Sequence, residues 1–264
     1  MADIMLPARE IFSIGPIPIT DGFLGSLLAT ITLLGIAVAV AHRFSIVPTR
    51  MQVALEMITD YLMGQLENAF GSKKRAEEFF PFFMTMLLFL VVANQFMFVP
   101  FIFEITYGGA DVFRQSTSDF AQPIAFALIV ATISNVMAIR ISPLRYLGNF
   151  FDIMPFFKAR SLMDFFNAAV GFFIGLLNII GEFAKVVSLA ARLFGNIFAG
   201  NVMVAVIIGL SAYTQFLVPL PFIILSTFSG FVQAFVFMLL SIQFIAMSIS
   251  SVQEAPAAEV PASA

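Results

Sequence analysis

The sequence predicts an all-α membrane protein of about five to six hydrophobic helices, the last two forming a long tilted hairpin, and three observations predict it. First, of 264 residues 60% are hydrophobic and only 11% charged, with a mean hydropathy of +1.00. Soluble domains carry about 45–50% apolar and about 25% charged residues. Second, five stretches contain no Asp, Glu, Lys or Arg: 22–41, 79–103, 120–139, 165–181 and 193–253. A bilayer core of about 30 Å takes roughly 20 apolar residues of helix to cross. Third, the basic residues between these stretches gather on alternate sides, as short loops of a polytopic protein require. The net charge of −3 leaves no basic surface for nucleic acid. With no cysteine and a single histidine, His42, disulfides, thiolate chemistry and a His-based metal centre are excluded. No cofactor is expected.

Taken in order, residues 1–20 form an N-terminal segment outside the membrane. Residues 22–41 are a retained anchor rather than a cleaved signal peptide, because no basic region precedes them and no small-residue cleavage site follows before His42-Arg43. Residues 48–71 place Met51, Ala54, Leu55, Ile58, Leu62, Leu66 and Phe70 at helical spacing, with Glu56, Asp60 and Glu67 elsewhere. That pattern predicts an amphipathic helix along the membrane surface. Four further apolar runs follow. The last, 193–253, would be roughly three times too long for one upright crossing at about 1.5 Å per residue. It must fold back, and the segment Tyr213-Thr-Gln-Phe-Leu-Val-Pro219-Leu-Pro221 is the natural break. This gives a hairpin over 182–252 with arms of about 182–212 and 221–252, and a disordered cytoplasmic tail at 253–264. The whole of 1–264 reads as a single polytopic membrane domain, without an inverted internal repeat.

Orientation follows from the thirteen basic residues. Arg43, Arg50, Lys73, Lys74 and Arg75 precede the second run, and Arg140, Arg145, Lys158 and Arg160 precede the fourth; these nine mark the cytoplasmic side. Arg9 and Arg114 lie on the other side. The N-terminus is therefore outside and the C-terminus cytoplasmic. Lys185 and Arg192 remain, both within the first arm of the hairpin. A charge at mid-membrane costs about 2.5–3.5 kcal/mol on insertion scales and is kept where it meets a cavity, a partner or a function. Lys185 stands near enough to the helix start to snorkel to the interface. Arg192 lies about 10 Å further in, seven residues at about 1.5 Å each.

Around Arg192, the small residues Ala184, Ser188, Ala191, Gly195 and Ala199 recur at spacings of four, three, four and four along one helical face. Two readings of this stripe stand: close packing within the chain, or the passage of a partner helix beside a permanent charge. A guanidinium keeps its proton at physiological pH, so Arg192 does not carry protons. It can act as an electrostatic gate that drives the proton off a passing carboxylate. Glu182 is open to two readings as well, a proton-path carboxylate or an ordinary i,i+3 partner of Lys185. Asn196 and Asn201 follow Arg192, while Ser226, Ser229 and Gln233 share a face of the returning helix. Such residues either bind helices together or line a polar path.

Ser188-Leu-Ala-Ala-Arg192-Leu-Phe-Gly-Asn196-Ile-Phe-Ala-Gly200 resembles the signature of subunit a of bacterial F-type ATP synthases. Gln233-Ala-Phe-Val-Phe and the acid Asp119 in Thr117-Ser-Asp119 are similar to two further elements of that family. The strong matches cover about 115–125 and 181–245. The resemblance implies a non-catalytic stator subunit of the Fo sector in the cell inner (plasma) membrane. It would pack against a ring of c-subunits, each with a mid-membrane carboxylate, with peripheral-stalk b subunits and lipid as other neighbours. Protons, or sodium ions in their place, would pass through two offset half-channels. By carry-over Arg192 is the gate, Asn196 and Gln233 are its polar partners, and Lys185 matches a cytoplasmic basic position. Two positions depart from the family: Asn201 and Ser226 stand where ionisable residues are common, which leaves Asp119, Glu104 or ordered water for the outer half-channel. Asn178 replaces an acid fourteen residues before Arg192, and Glu182 is the expected substitute.

The competing reading is a secondary transporter or channel that binds an anionic substrate on Arg192. It predicts discontinuous helices or an internal repeat. A membrane-embedded enzyme is disfavoured, since no His-Glu-x-x-His motif occurs and no base accompanies Ser226 or Ser229.

Overall fold

The computed structural model describes residues 10–14, 17–42, 48–95, 106–107, 110–111, 119–150, 162–210 and 218–253. Strands β1 (Glu10–Ile14) and β2 (Ile17–Thr20) form an antiparallel hairpin ahead of the first membrane helix. Helix α1 spans Asp21–Ala41. Its N-cap is Thr20, whose hydroxyl accepts from the Phe23 N–H at 3.3 Å, and Asp21 adds an acid to the first turn. Inside α1, Ser26 and Thr30 donate to carbonyls four residues earlier at 3.0 and 2.9 Å. These bonds let hydroxyls sit in an apolar helix without unmet polar atoms.

Helix α2 (Arg50–Phe70) begins at the N-cap Thr49 and ends at Gly71, where φ is 61°. It packs on α3 (Lys73–Gln95): Leu62, Leu66 and Phe70 are buried, and the Phe70 ring stacks on Phe79 at 4.9 Å. Val53, Met57 and Tyr61 stay exposed. The buried apolar stripe of α2 lies in its C-terminal half. A short antiparallel pair, β3 (Thr106–Tyr107) and β4 (Ala110–Asp111), precedes α4 (Ala121–Ile141) and the eight-residue α5 (Pro143–Phe150).

The last two helices are α6 (Leu162–Leu210), of 49 residues, and α7 (Pro219–Gln253), of 35. Here the structure departs from the sequence pattern. The apolar run 165–181 and the first arm of the hairpin are one unbroken helix, whereas the charges at Glu182 and Lys185 suggest a division between them. No proline interrupts the segment, and the two charges bridge one helical turn instead of ending it. At about 1.5 Å per residue α6 is roughly 74 Å long. It cannot stand upright within a core of about 30 Å, so it is oblique or extends beyond the hydrocarbon. Among the described residues five helices are long and apolar enough to cross a membrane: α1, α3, α4, α6 and α7. Helix α7 starts at Pro219, where a missing N–H is tolerated. The hairpin turn at 211–217, Glu104 and the tail 254–264 lie outside the described residues.

The chain divides into two compact units. One comprises Met1–Pro123 and Ala190–Leu240, and its buried side chains include Phe83, Leu87, Leu90, Leu193 and Phe237. The other comprises Ile124–Leu189 and Ser241–Ala264, with Val130, Ala138, Leu189, Ile242 and Ile245 buried.

Candidate functional site

In the first unit α6 and α7 meet through polar side chains. The Asn196 amide donates to the Ser229 carbonyl oxygen at 3.1 Å, and the Ser229 hydroxyl donates to Asn196 Oδ1 at 2.6 Å. One turn later along α6, a Cβ at Gly200 would overlap Ser226 Oγ. The glycine is therefore what lets the two helices close. This contact also accounts for a small residue at Ser226, since little space is left for a larger one. Asn201 beside it is half-buried.

Arg192 is exposed, and among the described residues it makes no hydrogen bond or ion pair. The stripe residues Ala184, Ser188, Ala191, Gly195 and Ala199 are all exposed too. Of the two readings of the stripe, packing within the chain is not the one observed. The side chain carried over as a partner of Arg192, Asn196, is occupied by Ser229 instead. Gln233 is 7% exposed, and its amide nitrogen has no hydrogen-bond partner among the described residues. A buried N–H without an acceptor costs about 1–3 kcal/mol, which a partner group or a water would relieve.

Helix α3 contributes two residues that sequence reasoning did not single out. Asn94 donates to the Gly230 carbonyl at 2.9 Å, and Gln95 to the Thr227 carbonyl at 3.3 Å. The available signal was an adjacent amide pair inside the uncharged run 79–103. Asp119 is half-buried, with Oδ2 3.6 Å from where a Cβ on Gly22 would stand. Asp21, also not singled out, is buried and accepts from the Gly22 N–H at 2.8 Å. Next to Asp119, the Phe120 ring meets Phe194 edge-on at 5.4 Å, and Phe194 stacks on Phe198 at 5.3 Å. The loop that carries Asp119 is thereby held beside the helix turn that follows Arg192.

In the second unit Lys185 Nζ bonds Glu182 Oε1 at 2.5 Å and lies 5.8 Å from the Phe244 ring centroid. Lys185 is therefore paired. Glu182, Lys185, Asn178 and Ser248 line a cavity of about 240 Å³ together with Tyr146 and Asn149 from α5. Ser134 and Ser248 exchange bonds with backbone carbonyls, Ser134 to Phe244 at 3.4 Å and Ser248 to Ser134 at 3.3 Å, which fix α4 against α7. Among the described residues no group of His, Asp or Glu is arranged to hold a metal.

Helices long and apolar enough to cross a membrane, one of them carrying an exposed arginine on a small-residue face, define a polytopic all-α membrane protein. Residues 23–246 match the family described as ATP synthase A chain, and the chain belongs to that family. It is 32% identical over 238 residues to ATP synthase subunit a of Moorella thermoacetica, covering 90% of this chain and 94% of that protein. It is 30% identical over 252 residues to ATP synthase subunit a 2 of Bradyrhizobium sp. strain BTAi1, covering 94% and 96%. A third relative, ATP synthase subunit a of Geotalea daltonii, is 29% identical over 203 residues, covering 77% and 76%.

Proposed function

We propose that the chain is the stator subunit of the Fo sector, with Arg192 as the electrostatic gate between two proton half-channels. The observation that carries this reading is the exposed Arg192, without an ion-pair partner among the described residues, beside an outward stripe of small residues. Such a face suits helices that slide past it, each presenting a carboxylate that Arg192 draws into its charged form. The natural partner is a ring of c-subunits with a mid-membrane carboxylate. Peripheral-stalk b subunits and lipid cover other faces, and ATP is made on other subunits.

A proton arrives from outside along Asp119 and Asn201, with Ser226 and Gln233 as polar neighbours, and neutralises a ring carboxylate. After rotation it leaves toward the cytoplasm past Glu182 and Lys185. In this reading the termini lie on opposite sides of the inner (plasma) membrane, and the basic loops support an N-terminus outside and a cytoplasmic C-terminus. The anion-transporter alternative expects a helix interrupted at mid-membrane, and α6 runs unbroken through Arg192.

The test is proton flux in vesicles reconstituted with the complete complex. Arg192→Ala is expected to abolish ATP-driven pumping while ATP hydrolysis on the soluble side persists; pumping at the parental rate would refute the gate. Running it with and without sodium identifies the ion.

A further inference from the structure

Helix α5 is built inside out. Tyr146, Asn149 and Phe150 share one side at helical spacing and are half-buried against the chain. The Tyr146 hydroxyl donates to Asn135 Oδ1 at 3.0 Å, the Asn178 amide donates to the Asn149 carbonyl at 2.9 Å, and a Cβ at Gly175 would overlap the Phe150 carbonyl. The Arg145 guanidinium donates to the Val252 carbonyl at 3.3 Å. These contacts fix the rotation of the helix and leave Leu144 and Leu147 on its outer side, 83% and 55% exposed. A short helix in water turns polar residues out and apolar residues in. Because α5 does the reverse, its outer side suits an apolar medium.

Two further observations name that medium. The Leu144–Leu147 edge follows directly on α4, a helix long and apolar enough to cross a membrane, whose Val136, Ile139 and Ile141 are exposed. The join is tight: the Ser142 N–H donates to the Ala138 carbonyl at 3.2 Å, and the Tyr146 N–H to the Ser142 carbonyl at 3.0 Å. Charge is the second observation. From 120 to 151 the chain has two basic residues, Arg140 and Arg145, and no acid. Both are exposed, and among the described residues neither pairs with a carboxylate. Arg145 is held by its bond to Val252 yet keeps further N–H donors free to turn outward. A guanidinium matches the oxygens of a phosphate group with paired hydrogen bonds.

We propose that α5 is an interfacial anchor that binds an anionic phospholipid. Leu144 and Leu147 lie among the acyl chains, and Arg140 and Arg145 hold the headgroup phosphodiester at the level of the bend between α4 and α5. The anchor goes beyond the gating role of Arg192 and does not depend on it.

Because the chain has no cysteine, one fluorophore can be placed on this edge. Leu144→Cys, or Leu147→Cys where the first fails to assemble, carries bimane in the complete complex with cysteine-free partner subunits. The complex is held in mixed vesicles of phosphatidylcholine and phosphatidylglycerol, and retained ATP-driven pumping reports assembly. Lipid brominated high on the acyl chain is expected to quench the dye severalfold more than iodide does from water. Strong iodide quenching would put the edge in water, and quenching by neither would put a protein on it; each result overturns the anchor. At equal mole fraction, brominated phosphatidylglycerol should associate about threefold or more better than brominated phosphatidylcholine, within what a basic residue at an anionic surface supplies. Arg140→Gln should remove most of that preference. Equal quenching by the two lipids, or a preference that survives Arg140→Gln, overturns the headgroup site. Added inorganic phosphate should leave the preference in place; its loss would assign the guanidiniums to free phosphate and overturn the lipid.

Discussion

Both the polar group at Asn196 and the polar group at Glu182 interrupt the apolar helix α6, yet the first closes on itself and the second opens on a cavity. Asn196 and Ser229 exchange two hydrogen bonds, and Gly200 lets Ser226 approach until no space is left. Glu182 and Lys185 pair along one helix, and their remaining faces line free volume. The difference teaches what an intramembrane polar residue is for. Where its hydrogen-bonding capacity is used up by a neighbouring helix, it fixes the hairpin. Where it is left open beside a cavity, it can exchange protons with water.

The largest break of this comparison is to fill the exposed face that neither group occupies. Gly195→Leu adds a side chain beside Arg192 at a position where nothing lies within 4 Å of the Cβ. Assembly is expected to survive while ATP-driven pumping falls by about tenfold or more, the effect of about 1.4 kcal/mol or more on the barrier to rotation. Pumping at the parental rate would mean that the stripe faces only lipid.

Next in size, Glu182→Gln keeps the shape of the side chain and removes the ionisable group. Proton flux is expected to fall severalfold, most at high cytoplasmic pH, where release toward that side is otherwise fastest. Unchanged flux would return Glu182 to a purely structural role. Asn196→Ala should affect the other group in another currency. Losing two interhelical bonds costs about 1 kcal/mol in a membrane protein, or about 2–4 °C in melting temperature at this chain length. Thermal unfolding in detergent measures it; a loss of pumping without loss of stability would move Asn196 from the lock to the proton path.

The smallest effect concerns Tyr146. A nearby carboxylate disfavours the phenolate, so Glu182→Gln should bring the Tyr146 titration down toward 10.0 without reaching it, because burial still raises it. Difference absorbance against Tyr146→Phe follows this single group.

Much of the architecture was legible in the sequence because a bilayer imposes a length on every crossing and a cost on every charge. Residues 22–41 fall on α1, 79–95 of the second run on α3 and 121–139 on α4, and the motif around Arg192 falls on a helix. The join between 165–181 and the first arm was not legible. A charged pair reads as an interface when each charge is counted singly, and only the i,i+3 geometry shows that it continues the helix. The same limit hid Asn94 and Gln95, whose meaning depends on carbonyls of α7 far along the chain. Arg145 and Tyr146 in α5 read as loop residues because their partners, Val252 and Asn135, are set by packing rather than by local pattern. Arg192 stands out because a charge is anomalous in hydrocarbon, whereas the residues of α5 would be unremarked on any surface.

In the proposed mechanism Arg192 makes proton passage obligatorily coupled to rotation. The direct measurement is ATP synthesis by the reconstituted complex under an imposed proton gradient, in the parent and in Arg192→Ala, with proton leak recorded in the same vesicles. The account expects no synthesis from Arg192→Ala, with ATP hydrolysis on the soluble side retained. Gradient-driven synthesis that continues without the guanidinium would contradict it.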